Sequence, residues 1–171
     1  MRIITETERL YLREFKLDDD VHFYKMNEDE DVIKFTGDSK FNSVKEARHF
    51  LENYKDYERN GMGRWAVCLK SNDEFLGWCG LKYHPNEDMV EVGYRYYKKH
   101  WGNGYATESC RASIKYGFNV LKLATIYAHT HIYNFNSIRV IEKCGLNFIE
   151  QHIYDSMPAN LYKIEHSKFS K

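Results

Sequence analysis

The sequence of 171 residues is poor in proline, has no paired cysteines, and carries neither excess charge nor a long apolar run. Two prolines exclude proline-rich linkers and collagen-like structure. The four cysteines, Cys68, Cys79, Cys110 and Cys144, stand far apart with no C-x-x-C pair. That argues against zinc and disulfides and for buried free thiols in a reducing compartment. Lys+Arg and Asp+Glu each number 25, so the basic footprint of a nucleic-acid binder is missing. No stretch approaches the ~18 apolar residues that span a bilayer. The start, Met1-Arg2-Ile3-Ile4-Thr5-Glu6, lacks the apolar core of a secretory signal. The expectation is a cytoplasmic protein with no nucleic-acid and no membrane partner.

What is present is a strong core. Hydrophobic residues make up 43% of the chain and aromatic residues 16%, which excludes disorder as the main state. The length suits a single domain over 1–171, able to bury roughly 70% of its unfolded surface without a metal or disulfide. No repeat or linker interrupts it. The neutral total hides an asymmetry: residues 1–60 hold 15 acids against 11 bases, and residues 61–171 hold 10 acids against 14 bases. Two ligands of opposite sign, one per half, would explain it, and so would chance.

Hydrophobic periodicity orders the elements. Leu10 to Phe15 alternates like a strand, and the acidic runs at Asp18 and Glu28 open two short helical segments. Ser43-Val44-Lys45-Glu46 fits a capping box, and Asn60-Gly61 fits a helix stop. Between them Val44, Ala47, Phe50, Leu51, Tyr54 and Tyr57 recur at helical spacing, which predicts one amphipathic helix. Trp65–Leu69, Phe75–Tyr83 and Met89–Tyr96 then read as an antiparallel meander. A loop and helix follow, with Ala106, Cys110, Ile114, Phe118 and Leu121 on one face. Thr125–His131 is a strand, Ser137–Cys144 a helix ended by Gly145, and two strands close the chain. The order predicts an α+β fold with a mixed sheet.

Gly102-Asn103-Gly104 lies between a strand and a helix. Two glycines permit a sharp turn and a close ligand approach, and the helix start offers free N–H groups and a positive dipole end. Such a loop is either a phosphate cradle or a plain turn into a helix. It matches neither G-x-G-x-x-G nor G-x-x-x-x-G-K-[ST].

Trp101-Gly102-Asn103-Gly104-Tyr105-Ala106-Thr107-Glu108, preceded by Val90-Glu91-Val92-Gly93-Tyr94, resembles the acetyl-coenzyme A site of GNAT N-acetyltransferases. The second family motif is Asn134-Phe135-Asn136-Ser137-Ile138-Arg139-Val140-Ile141-Glu142-Lys143-Cys144-Gly145. The opening Thr7-Glu8-Arg9-Leu10-Tyr11-Leu12-Arg13 resembles the ribosomal-protein N-acetyltransferase branch. The resemblance runs from about Thr7 to Phe148. It implies a GNAT acyltransferase fold: a mixed, mostly antiparallel sheet flanked by helices, whose one splayed parallel pair forms the coenzyme A cleft. It implies acetyl-CoA as co-substrate, no metal, and a monomer or homodimer.

Residue by residue, the resemblance gives the pantetheine to the backbone of Tyr94, Arg95 and Tyr96, with Asn134 nearby. The pyrophosphate falls to Trp101, Gly102, Asn103, Gly104, Tyr105, Ala106 and Thr107. Trp101 stands where the family has Gln or Arg, which keeps the backbone cradle and removes one side-chain contact. Lys98 and Lys99 are placed to help at the 3′-phosphate. Glu91 matches a glutamate that serves as general base in some relatives, with His84 in reserve; on the residues alone Glu91 is equally a structural partner or exposed, and His84 an ordinary loop histidine beside Pro85. Ser137 matches a helix-start hydroxyl that protonates the thiolate or binds coenzyme; on its own it is equally a helix cap. Polyamine-acetylating relatives carry tyrosine where this chain has Ile141. His129 and His131 share a strand face but lack a third metal ligand.

The reaction is amine attack on a thioester, and the amine must be neutral. A lysine-like amine near pKa 10.4 pays about 4.6 kcal/mol for this at pH 7, an α-amine near 8 only about 1.4 kcal/mol. The expected acceptor lies under the N-terminal helices. The acidic half favours a cationic one: a peptide or protein N-terminus first, a small amine such as an amino sugar or aminoglycoside second. A catalytically silent acyl-CoA-binding module is the rival reading.

Overall fold

The computed structural model describes residues 2–169. Its centre is an eight-stranded sheet in the order β1-β2-β3-β4-β5-β6-β8-β7. The strands are β1 Ile3–Glu6, β2 Leu10–Arg13, β3 Arg64–Leu69, β4 Phe75–His84, β5 Met89–Tyr96, β6 Thr125–His131, β7 Asn147–Tyr154 and β8 Met157–Glu165. The helices are α1 Asp20–Glu28, α2 Glu30–Ile33, α3 Val44–Glu52, α4 Asp56–Asn60, α5 Tyr105–Asn119 and α6 Phe135–Lys143. The meander β3-β4-β5 is antiparallel as expected, and β5 and β6 form the one parallel pair of the sheet. β1 was not foreseen: four residues carry too short an alternation to read, and it forms by pairing with β2.

The helix expected over Val44–Tyr57 is two helices. Ser43 Oγ accepts from the Glu46 N–H at 3.3 Å, but Glu46 reaches back to the Asn42 N–H at 2.6 Å, so the reciprocal cap is set one residue early. The first helix stops because Asn53 Nδ2 donates to the His49 carbonyl at 2.8 Å, satisfying a last-turn acceptor. Tyr54 and Tyr57 then turn to β3, where the Tyr54 hydroxyl accepts from the Arg64 N–H and the Tyr57 hydroxyl donates to the Arg64 carbonyl. Their helical spacing masks these tertiary ties. Gly61, at φ +66°, ends α4 as the sequence predicts.

Helix α6 also starts earlier than expected. Asn134 is its cap, with Oδ1 accepting from the Ser137 N–H at 3.2 Å. Ser137 is therefore inside the first turn and its hydroxyl is free for other work. Two faces of the sheet bury separate cores. Helix α5 lays Cys110, Ile114 and Phe118 on one face, against Leu81, Val92 and Ile126. Helices α1 and α3 cover part of the other with Phe23, Ala47 and Leu51. Burying residues of this kind stabilises by about 1.5–3 kcal/mol each.

Candidate active site

The parallel pair is in register only at Glu91 and Tyr127. Beyond Glu91 the two strands part. Tyr94, Arg95 and Tyr96 still pair with Cys79, Trp78 and Gly77 of β4 on one side. On the β6 side their backbone has no ladder partner, so its polar groups are available to a ligand.

The glycine loop follows β5 and leads into α5. Gly102 and Gly104 sit at φ +79° and +80°, left-handed conformations that favour glycine. Gly104 caps α5 without any side-chain hydrogen bond, leaving the first N–H groups of a 15-residue helix open. Trp101 Nε1 donates to the Tyr96 carbonyl at 3.1 Å and ties the loop to the end of β5. Asn103 Nδ2 donates to the carbonyls of His100 and Trp101.

The loop is also braced from the chain start, a role no motif announced. Arg9 donates to the Asn103 carbonyl at 3.1 Å and pairs with Glu108, and its guanidinium lies 4.6 Å over the Tyr105 ring. Thr7 donates to the same Glu108 carboxylate. Lys98 and Lys99 are exposed and pair at the surface with Asp31 and Glu74.

On the helix side of the cleft the Tyr94 hydroxyl lies 2.8 Å from Ser137 Oγ. Burial pushes the Tyr94 phenol well above its ordinary value, so it stays protonated. Asn134, Ser137 and Tyr94 are thus brought together.

The cleft is continuous with a cavity of about 800 Å³ that runs from Tyr94 and Ser137 past Glu91 and His129 to Phe23 and Trp78. It lies under the N-terminal helices, as expected of an acceptor site. Its walls do not carry the acidity of residues 1–60: Asp38, Asp56, Glu91 and Asp155 face Lys55, Arg59, Arg64, Lys82 and Arg95. Most of the acids of residues 1–60 sit on outer surfaces instead.

Glu91 stands where cleft and cavity meet, 8% exposed. Its Oε1 accepts from Arg64 Nη2 at 2.9 Å. Its Oε2 accepts from His129 Nδ1 at 3.1 Å and from the Tyr154 hydroxyl at 3.3 Å. His84 Nε2 is 3.1 Å from the same oxygen but out of line for a hydrogen bond. Burial alone would raise the carboxyl, but His129, His84 and Arg64 outweigh it and hold Glu91 well below the usual carboxylate range. Arg64, Gly80 and Gly93 are successive partners across β3, β4 and β5, so they share one face. A Cβ on Gly93 would stand 2.6 Å from Arg64 Nη2. The absent side chain is what lets the guanidinium cross β5 to Glu91. Sequence reading found Glu91 and His84 but not Arg64 or Tyr154, which no local pattern links to them.

Residues 9–147 match the family model for the acetyltransferase (GNAT) domain. The uncharacterised N-acetyltransferase p20 of Bacillus licheniformis is 33% identical over 137 residues, covering 79% of this chain and 77% of its own. The crystal structure of a GNAT-family acetyltransferase from Bacillus anthracis superposes with a TM-score of 0.83 at 26% identity, covering 97% and 99% of the two chains. Spermidine N-acetyltransferase from Vibrio cholerae, solved with CoA and spermine, shares the fold: TM-score 0.81, 19% identity, 95% and 99% coverage.

Proposed function

The chain belongs to the GNAT acetyltransferase family and is an N-acetyltransferase, and on that premise we propose that it moves the acetyl group of acetyl-CoA to the α-amine of a peptide or protein. The observation that carries the reading is the meeting of cleft and cavity at Glu91, where β5 and β6 part. The cleft suits the donor. Two left-handed glycines and an uncapped helix start offer N–H groups to a pyrophosphate, and the free β5 edge offers a ladder to the pantetheine amides. Arg9 adds a guanidinium at the loop where Trp101 supplies none.

The cavity suits the acceptor. An α-amine needs only about 1.4 kcal/mol to become neutral at pH 7, so a single buried carboxylate cluster is help enough. Cavity walls with five basic side chains against four acidic ones do not favour a polyamine. Ile141 in place of the tyrosine of polyamine-acetylating relatives points the same way. Glu91 is the carboxylate that assists loss of the amine proton. Ser137, with Tyr94 behind it, is placed to give a proton to the leaving thiolate. The likeness to the ribosomal-protein branch supports a protein N-terminus over a free amino acid.

The test is thiol release from acetyl-CoA with three probes: an alanine-initiated hexapeptide, spermidine, and glucosamine. The expected result is turnover of the peptide at least tenfold faster than either small amine. Faster turnover of spermidine or glucosamine would overturn the acceptor assignment, and coenzyme binding with no turnover of any amine would favour a silent module.

A further inference from the structure

We propose that His129 Nε2 is the atom that takes the proton from the acceptor amine, with Glu91 as its positioning residue; this rests on the amine-acetylation reading above. Glu91 is an ionised carboxylate with no proton of its own to give, so the Nδ1 facing its Oε2 at 3.1 Å must carry the hydrogen. In the neutral ring that leaves the lone pair on Nε2. No group among the described residues hydrogen-bonds Nε2, and the ring lines the cavity. The carboxylate itself is poorly suited to the task. Its oxygens already accept from Arg64, His129 and Tyr154, and its proton affinity is depressed. An imidazole, whose ordinary ionisation lies near 6.5, is better matched to a neutral-pH proton transfer.

The ring is held as a catalytic base needs to be. Tyr154 stacks on it at 3.9 Å with planes 8° apart, while donating to the same carboxylate oxygen. Burial and the Glu91 charge push the Tyr154 phenol up, so it remains a donor. The charged and titratable groups around the ring are therefore Glu91 on β5, Arg64 on β3, His84 on β4, and Tyr154 and His152 on β7. His84 is placed differently: its Nε2 is buried against Glu91 rather than turned to the cavity. His131, two residues along β6, uses Nδ1 to accept from the Tyr133 N–H and stacks on Phe35.

The step balances without another reactant. The amine nitrogen uses its lone pair to bond the thioester carbonyl carbon, and the proton it then sheds passes to His129 Nε2. The C–S bond breaks with its electron pair on sulfur, and sulfur takes a proton from Ser137 Oγ. His129 and Ser137 return to their resting states by exchange with solvent, so the net transfer is one proton from nitrogen to sulfur.

The experiment compares wild type, His129→Gln and His129→Ala with the alanine-initiated peptide and acetyl-CoA between pH 6 and 9. The expected result for His129→Gln is a kcat lower by roughly 10²-fold at pH 7, with KM for acetyl-CoA within about twofold. Wild type should lose kcat toward acid pH and His129→Gln should not, and added imidazole should restore turnover to His129→Ala. Glu91→Gln, which keeps the shape and removes the charge, should shift that limb along the pH axis, which a packing role would not do. A kcat within about threefold of wild type, an unchanged acid limb and no imidazole rescue would overturn the assignment of His129 while leaving the acetyltransferase reading intact. Wild-type turnover of spermidine with a silent peptide would defeat the acceptor reading instead, and the same His129 comparison would then be made with spermidine. A thermal melt of each variant separates loss of chemistry from loss of fold.

Discussion

The two flanks of β5 are built by different means. Toward β6 and the glycine loop, the groups proposed to bind coenzyme are backbone: an unpaired strand edge, two left-handed glycines and an uncapped helix start. Toward the cavity they are side chains gathered from five strands, with Glu91 joined by Arg64, His84, His129 and Tyr154. A backbone site depends on conformation, here the left-handed φ of Gly102 and Gly104 that side chains rarely adopt. A side-chain site depends on every partner, since each one sets the charge state of the next.

That contrast is open to test. The largest effect is expected at Glu91. Glu91→Gln should lower kcat by about 10²-fold or more with little change in acetyl-CoA affinity, read from steady-state kinetics and a coenzyme titration. Next comes the cradle. Gly104→Val puts a β-branched residue at φ +80°, a strain of about 1–3 kcal/mol, so acetyl-CoA should bind about tenfold more weakly or worse while kcat at saturation holds. If the two variants exchanged phenotypes, the division between the flanks would be wrong.

A third variant sharpens the comparison because it removes nothing. Gly93→Ala adds one methyl group where Arg64 Nη2 now lies, 2.6 Å away, and should push the guanidinium off Glu91. We expect kcat to fall about tenfold, equivalent to about 1.4 kcal/mol, with coenzyme affinity kept. Binding alone should be visible in a melt. Acetyl-CoA at about 100 times its Kd adds about 2.7 kcal/mol, a rise of roughly 5–10 °C, and NAD or ATP should give none.

The smallest effect concerns acid. The Glu91 carboxyl is held below its ordinary value of 4.5, so its contribution to stability is fully present above that pH and is lost as pH falls toward the depressed value. The melting temperature of wild type should drop more steeply below pH 4.5 than that of Glu91→Gln. Equal slopes would mean that the cluster does not favour the ionised form.

The unequal legibility of the flanks follows from the same physics. Met89–Tyr96 and Thr125–His131 were readable to the residue, and in the second the alternation in sequence is matched by strictly alternating burial. Gly102 and Gly104 were readable because a left-handed turn before a helix restricts the residue type. The break after Glu52 was not: Tyr54 and Tyr57 keep helical spacing while their hydroxyls bind β3. Lys98 and Lys99 looked free, and only folding brings Asp31 and Glu74 to them.

What the sequence determined by itself is therefore the meander, the strand and helices after it, the family, and a glycine loop before a helix, all properties of neighbouring residues and of spacing along the chain. What only the tertiary structure decided is the company of Glu91. Arg64, His84, His129 and Tyr154 lie on β3, β4, β6 and β7, and no spacing links them. They converge because sheet pairing puts alternate residues of adjacent strands on one face, and because Gly93 leaves room for the Arg64 guanidinium. Charge state follows from that convergence: burial would have neutralised the carboxyl, and its partners keep it ionised.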